Sequence, residues 1–475
     1  NDFTALMEKR ADALDALRGF AIITMILSGT IPFSGPAALP GWMYHAQLPP
    51  PDHVFNPNLP GITWVDLVFP FFLFAMGAAF PFALKKRIEQ GIPYWKLSLQ
   101  AIQRGFLLVV FAIFLQHSKP YALSGNPETF HWIIGLVGFA ILFLIYYRYP
   151  KTFNPKLVLA VKIITGIGTV ILFSQLTYTK GTGFLLSRSD IIILVLANVA
   201  LFGSIIWLLT KDQLLIRLSI LAILLAFRVT HNIEGSWTGY IWNLTPAPEI
   251  YKFYFLQYLF IVIPGTFAGD LFYKWMKASD TDPSSENESK FLYLFSLAII
   301  IIVINLFGLY SRQLILNLIG NILLLSAGFI LLKNSNSQLL TLYKNLFAWG
   351  TFFLIIGLTF ESYEGGIKKD PSTLSYYLVT SGLAFMALIS FSIISDHWKK
   401  SKYVNLLIEN GQNPMIAYIA GSNFVMPILA LTGLSAILNY FLINPWLGFI
   451  KGLIFTLLAA LVTSFFTKKK IFWRS

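Results

Sequence analysis

Apolar runs of about 20 residues recur from one end of this 475-residue chain to the other, each long enough to cross a hydrocarbon layer as a helix. They lie at 13–33, 62–84, 98–116, 131–147, 157–175, 190–209 and 213–230, and again at 250–276, 291–309, 312–332, 341–360, 375–395, 404–431 and 446–467. The predicted fold is therefore an all-α, polytopic membrane bundle of about 12–14 helices. Composition agrees, because only 12% of residues are charged whereas soluble domains carry about 25%.

The net charge of +13 comes from Lys and Arg at the ends of the apolar runs, not from one basic patch. That distribution is how a chain orients in lipid, and it argues against nucleic acid as a partner. Most of the basic residues fall on the side of the N-terminus, which predicts that both termini are cytoplasmic. The same topology puts His45, His53, His117, His131 and His231 at the outer face and only His397 inside. Cysteine is absent, which excludes disulfides, thiolate metal sites and cysteine nucleophiles. The N-terminus carries no cleavable signal pattern, so the first span is expected to act as its own insertion signal, with Met7 a candidate start. A single domain is expected, with halves 11–277 and 291–475 joined by a polar cytoplasmic linker at 278–290.

Several groupings have the residue types that chemistry in a membrane would need. The loop 34–60 holds Trp42, His45, three consecutive prolines at 49–51 and His53, and it lacks Lys and Arg. It leads into residues 61–76, where Thr63 and Asp66 have capping-box spacing and Pro70 interrupts the apolar run. A helix cap accounts for both residues; alternatively, Asp66 orients an imidazole that deprotonates an attacking amine or hydroxyl, or takes an acyl group itself. Asp12, Asp15 and Arg18 share one helical face, either as an ion pair at the interface or with Arg18 meeting a phosphate.

Further on, His231 and Glu234 sit near Trp237 and Trp242, an arrangement suited to a sugar or to an ordinary aromatic belt. Gln257, Pro264 and Gly265 lie within one apolar run and predict a broken helix lining a cavity. Glu361 opens a Gly-containing loop that reads as a substrate rim, and Asp370 before Pro371 reads as the next helix's N-cap. Gln412 and Asn413 are polar residues within a span and need partners, from another helix or a ligand. There is no Walker loop, dinucleotide glycine fingerprint or HExxH helix, and no metal is expected.

Four of these stretches together look familiar. Residues 14–19 (LDALRG), the His-bearing loop, residues 66–74 (DLVFPFFLF) with Gly77, and the late GQNPMIAY at 411–418 resemble the heparan-α-glucosaminide N-acetyltransferase family and its bacterial relatives. The specific match covers mainly residues 11–84. The resemblance implies a multi-pass enzyme that takes an acetyl group from cytosolic acetyl-CoA and delivers it to an amino sugar across the membrane. A histidine in the loop before residue 66 would be catalytic. His45, in His-Ala-Gln, matches the family's His-Ala context, whereas His53 lies nearer Gly61. The loop is longer here than in the family, and Gly29 stands where a family member has Asn.

The resulting expectation is an inner-membrane, acyl-CoA-dependent N- or O-acyltransferase acting on a sugar or glycan. His45, His53 and Asp66 are the catalytic candidates, and Arg18, Arg104, Gln257 and Asn413 are the candidates for holding acetyl-CoA. Trp42, His231, Glu234 and Glu361 are the candidates for the acceptor. Membrane lipid is the expected surround, with homodimer formation left open. The rival class is a secondary transporter or lipid-linked sugar flippase, which the helix count and broken-looking spans also suit.

Overall fold

A computed structural model describes residues 11–33, 39–278, 288–334 and 337–475. Met7, part of the loop 34–60 and most of the linker 278–290 lie outside the described residues. The longer helices are α1 Asp12–Ser28, α2 Trp64–Glu89, α3 Tyr94–Ser118, α4 Thr129–Tyr146, α5 Pro155–Ser174, α6 Ile191–Leu209 and α7 Leu214–Thr230. They continue with α8 Leu259–Lys277, α9 Glu288–Tyr310, α10 Leu314–Leu331, α11 Gln338–Thr359, α12 Leu374–Ser392 and α13 Asn405–Gln412. The last are α14 Pro414–Ile419, α15 Met426–Leu431 and α16 Pro445–Lys468. No strand occurs among the described residues, which contain isolated bridges only. Twelve of the described helical segments are long and apolar enough to cross a membrane. The protein is an all-α, multi-pass membrane bundle. Each of the fourteen apolar runs in the sequence is helical, and α1 and α7 are the two that fall short as spans, at 17 residues each.

Packing groups the chain into two compact units that cut across its linear halves. One comprises residues 1–92 and 258–411; the other comprises 93–257 and 412–475. The polar stretch after α8 therefore joins two helices of one unit, because helices pack by the faces they present and not by order in the chain.

In the first unit α2 packs against α1, α8 and α12, and α12 also contacts α9 and α11. The apolar window of α12 is 89% buried while that of α10 is 22% buried, so α12 is central and α10 peripheral. Glycines let the central helices approach closely. A Cβ on Gly265 would lie 2.2 Å from the Phe74 carbonyl oxygen, and one on Gly77 would lie 2.1 Å from that of Val262. The predicted break at Pro264–Gly265 is absent: α8 runs unbroken through both residues, and Gly265 serves the α2 crossing.

Pro70 and Pro264 each remove a backbone donor from the carbonyl four residues earlier. The carbonyl of Asp66 accepts from Tyr376 Oη at 2.9 Å, and that of Phe260 accepts from Ser381 Oγ at 3.1 Å. Two hydroxyls of α12 thus satisfy the groups that two prolines free, which is how membrane helices tolerate proline.

In the second unit α3 packs on α4 and α6, and α4 on α5. The predicted span 404–431 is interrupted: α13 ends at Gln412, α14 starts at Pro414, and a π-helical segment Ala420–Val425 precedes α15.

Candidate active site

The start of α2 shows why Asp66 is oriented as it is. Thr63 and Asp66 form the expected capping box, with the Thr63 amide donating to Asp66 Oδ2 at 2.9 Å. The Ala46 amide donates to the same oxygen at 3.3 Å, and the Thr63 hydroxyl donates to the Tyr44 carbonyl at 2.6 Å. These bonds clamp the His45 loop onto the helix start. They also occupy the amide and hydroxyl of Thr63, so neither is left as a donor to a ligand.

The other oxygen, Asp66 Oδ1, lies 3.2 Å from His45 Nδ1 and 3.8 Å from Lys369 Nζ, yet it makes no aligned hydrogen bond. The opposite ring nitrogen, His45 Nε2, is 3.1 Å from Asp370 Oδ2. Side-chain exposure is 0% at Asp66, 12% at His45 and 50% at Asp370. The imidazole therefore bridges a buried carboxylate and one at the rim.

Each tautomer of His45 has partners in place. With the proton on Nε2, the ring donates to Asp370 and Nδ1 accepts from the Gln47 amide at 3.2 Å. With the proton on Nδ1, Asp66 Oδ1 is the adjacent acceptor and the Nε2 lone pair points to the rim. Only the second tautomer offers a base or nucleophile to an incoming acceptor. An exposed carboxylate is the group that the acceptor would replace.

Asp370 corrects its sequence-based role. The helix N-cap is Thr373, whose hydroxyl accepts from the Tyr376 amide at 3.3 Å, and α12 begins at Leu374. Asp370 precedes it in a turn and points to His45 instead. Burial alone would push the Asp370 carboxyl up, but the His45 hydrogen bond and the Lys369 charge outweigh it and hold the group below its ordinary value. Gln47 ties the two loops together, donating to the carbonyls of Leu59 at 2.8 Å and Gly61 at 3.2 Å and accepting from the Lys369 amide at 3.4 Å.

The remaining candidates do not join this cluster. His53 stacks against Tyr44 with ring centroids 4.4 Å apart, and its Nδ1 meets the Leu48 carbonyl at 3.2 Å. Trp42 is half exposed in a short turn of the same loop, Gly41–Met43. Glu361 is buried in an ion pair with Arg312 and accepts from the Ile367 amide, so it fixes the loop, and it lines a pocket with Asn317 and Ser362. Arg18 donates to Asp15 at 3.2 Å, to the Gly411 carbonyl at 3.0 Å and to the Ala75 carbonyl at 3.3 Å. It is a tie between α1, α2 and α13.

In the second unit Gln257 accepts from Arg228 and donates to the Tyr254 carbonyl at 3.1 Å. Asn413 holds the C-terminal segment, donating to the Ile471 carbonyl at 2.7 Å and accepting from the Trp473 amide at 3.3 Å. Arg104 is exposed on α3. His231 does not pair with Glu234: its Nδ1 meets the Arg228 carbonyl at 2.6 Å, its ring lies on Trp242, and Glu234 is exposed. Arg18, Gln257 and Asn413 are thus engaged within their own units and do not present the free donors a CoA pyrophosphate needs.

Sequence reasoning missed Lys369, Asp370, Gln47 and Tyr376 as parts of the site. The one local signal was the charged run at 368–370 before a proline, in a loop already marked as a rim. Residues 10–272, more than half of the chain, match the family model described as "Domain of unknown function (DUF5009)". A comparison with curated proteins finds no match.

Proposed function

The chain belongs to the DUF5009 family, and for this member we propose an acyltransferase of the bacterial inner membrane. It would move an acetyl or similar acyl group from cytosolic acetyl-CoA to an amino or hydroxyl group of a sugar on the outer side. The observation that carries this reading is the His45 imidazole, held with Nδ1 at a buried carboxylate and Nε2 at the rim.

In this reading Asp66 Oδ1 accepts a hydrogen bond from Nδ1–H, which stays on the ring, and so orients the imidazole. Nε2 then takes the proton of the acceptor as its nitrogen or oxygen bonds to the acyl carbon. The carbon–sulfur bond of the donor breaks, and the thiolate leaves with that proton. If His45 instead takes the acyl group first, Nε2 bonds the acyl carbon as the carbon–sulfur bond breaks and the thiolate leaves; the acceptor then bonds that carbon as the carbon–Nε2 bond breaks, and its proton goes to Nε2. No contact with the donor is assigned to Arg18, Gln257 or Asn413, which are engaged elsewhere. The resemblance at residues 11–84 supplies the choice of acetyl-CoA.

The interruption at Asn413–Pro414 and the π-helical segment after it favour one other reading, a secondary transporter or lipid-linked sugar flippase. Purified protein in detergent separates the two. An acyltransferase melts at a higher temperature with acetyl-CoA and acetylates a glucosamine acceptor. A protein that shows neither effect is not this enzyme.

A further inference from the structure

Within the cluster around His45, one oxygen stands out. Asp66 is fully buried, its Oδ2 receives two amide donors, and its Oδ1 makes no aligned hydrogen bond. The cation nearest that oxygen is the Lys369 ammonium, 3.8 Å away and 22% exposed.

Lys369 is itself held in place. Its amide donates to Gln47 Oε1, its neighbour Asp370 meets His45 Nε2, and Ser372 Oγ bonds its carbonyl. The loop carrying it is pinned at residue 61, whose amide donates to the Ile367 carbonyl at 2.7 Å. The ammonium is therefore delivered to Asp66 by a built support.

We propose that Lys369 is a positioning residue of the His45 site, whose ammonium holds the Asp66 Oδ1 side of the carboxylate against His45 Nδ1 and so leaves Nε2 toward the rim. The proposal rests on His45 being the chemical centre. Lys369 acts through Asp66 and is not itself a catalytic residue. The charged and titratable groups around the pair are Tyr376 from α12, and Asp370 and Lys369 from the loop before it. Among these, Lys369 is the only cation, and a neutral side chain there removes the positive charge that faces Asp66 Oδ1.

The test compares Lys369→Met and Lys369→Arg in full-length purified protein. One readout is the reaction of His45 with diethyl pyrocarbonate across pH, followed on its peptide by mass spectrometry; the reagent attacks neutral imidazole. A second is the pH profile of acyl transfer. In K369M the rate of His45 labelling at fixed neutral pH falls about tenfold, and acyl transfer falls with it. K369R restores both, and unchanged melting shows that the effect is not misfolding. A K369M protein whose His45 labelling follows the unsubstituted profile overturns the proposal. The labelling does not depend on acyl transfer. If His45→Ala leaves transfer intact, the proposed function fails while the labelling still decides the role of Lys369.

Discussion

Each of the two units holds a buried aspartate beside a lysine and a tyrosine, and the two arrangements differ in one oxygen. In the second unit Asp190 caps α6, donating groups reaching both its oxygens: Lys119 Nζ at 2.9 Å on Oδ2, and Tyr418 Oη at 2.9 Å with the Ile193 amide at 3.3 Å on Oδ1. In the first unit Asp66 caps α2 with Oδ2 alone, while Oδ1 faces His45 and Lys369 without an aligned bond. A carboxylate satisfied on both oxygens is a clamp. One with an oxygen left toward an imidazole can exchange a proton with it. Residue types alone do not separate the two, since a Lys–Asp–Tyr set reads equally well as chemistry.

Histidines divide in the same way. His117 is fully buried, with Nδ1 at the Ile113 carbonyl, Nε2 accepting from the Leu185 amide and its ring stacked on Phe184. Backbone partners on both nitrogens lock its tautomer. His45 has a carboxylate on each side, so either tautomer finds an acceptor.

Substitutions can break this comparison. The largest effect is expected from Asp66→Asn, which keeps an oxygen for the Thr63 and Ala46 amides but removes the carboxylate from His45. Acyl transfer should fall by about 10²-fold or more, measured as kcat, with little change in melting temperature. Lys119→Met should do the reverse and act on stability. It removes the principal donor of a nearly buried carboxylate and should cost about 1–3 kcal/mol in detergent unfolding, discounted because Lys119 is 28% exposed. His53→Ala should lose the ring contacts with Tyr44 and Phe33 and the Leu48 carbonyl contact, about 1 kcal/mol by the same measurement.

Asp370→Asn is the smallest. The folded protein holds this carboxyl below its ordinary value, so its contribution is present above about pH 4 and disappears as pH falls through the lower, folded-state value. Because the side chain is half exposed, the stability difference between D370N and the unsubstituted protein should be a few tenths of a kcal/mol at neutral pH and vanish in acid.

Much of the fold was legible because its signals are local. Every apolar run became a helix, and the Thr63–Asp66 spacing became the capping box it resembled. The break expected at Pro264 failed for a non-local reason: the hydroxyl of Ser381, far along the chain, satisfies the freed carbonyl, as that of Tyr376 does for Pro70. The site was half legible. His45 and Asp66 belong to one loop–helix junction, whereas Asp370 meets His45 from 325 residues away, a contact that no spacing encodes. Arg18 and Asn413 were each left between a partner in the protein and a ligand. The Asp15–Arg18 ion pair forms, and the other partners of both residues are backbone carbonyls and amides of this chain.

The most direct test compares His45→Ala and His53→Ala as single variants of the purified protein in acetyl transfer from acetyl-CoA to a glucosamine acceptor. The account predicts that H45A loses about 10²–10⁴-fold in rate while H53A stays within a few fold of the unsubstituted protein. Full activity in H45A, or loss in H53A alone, would contradict it.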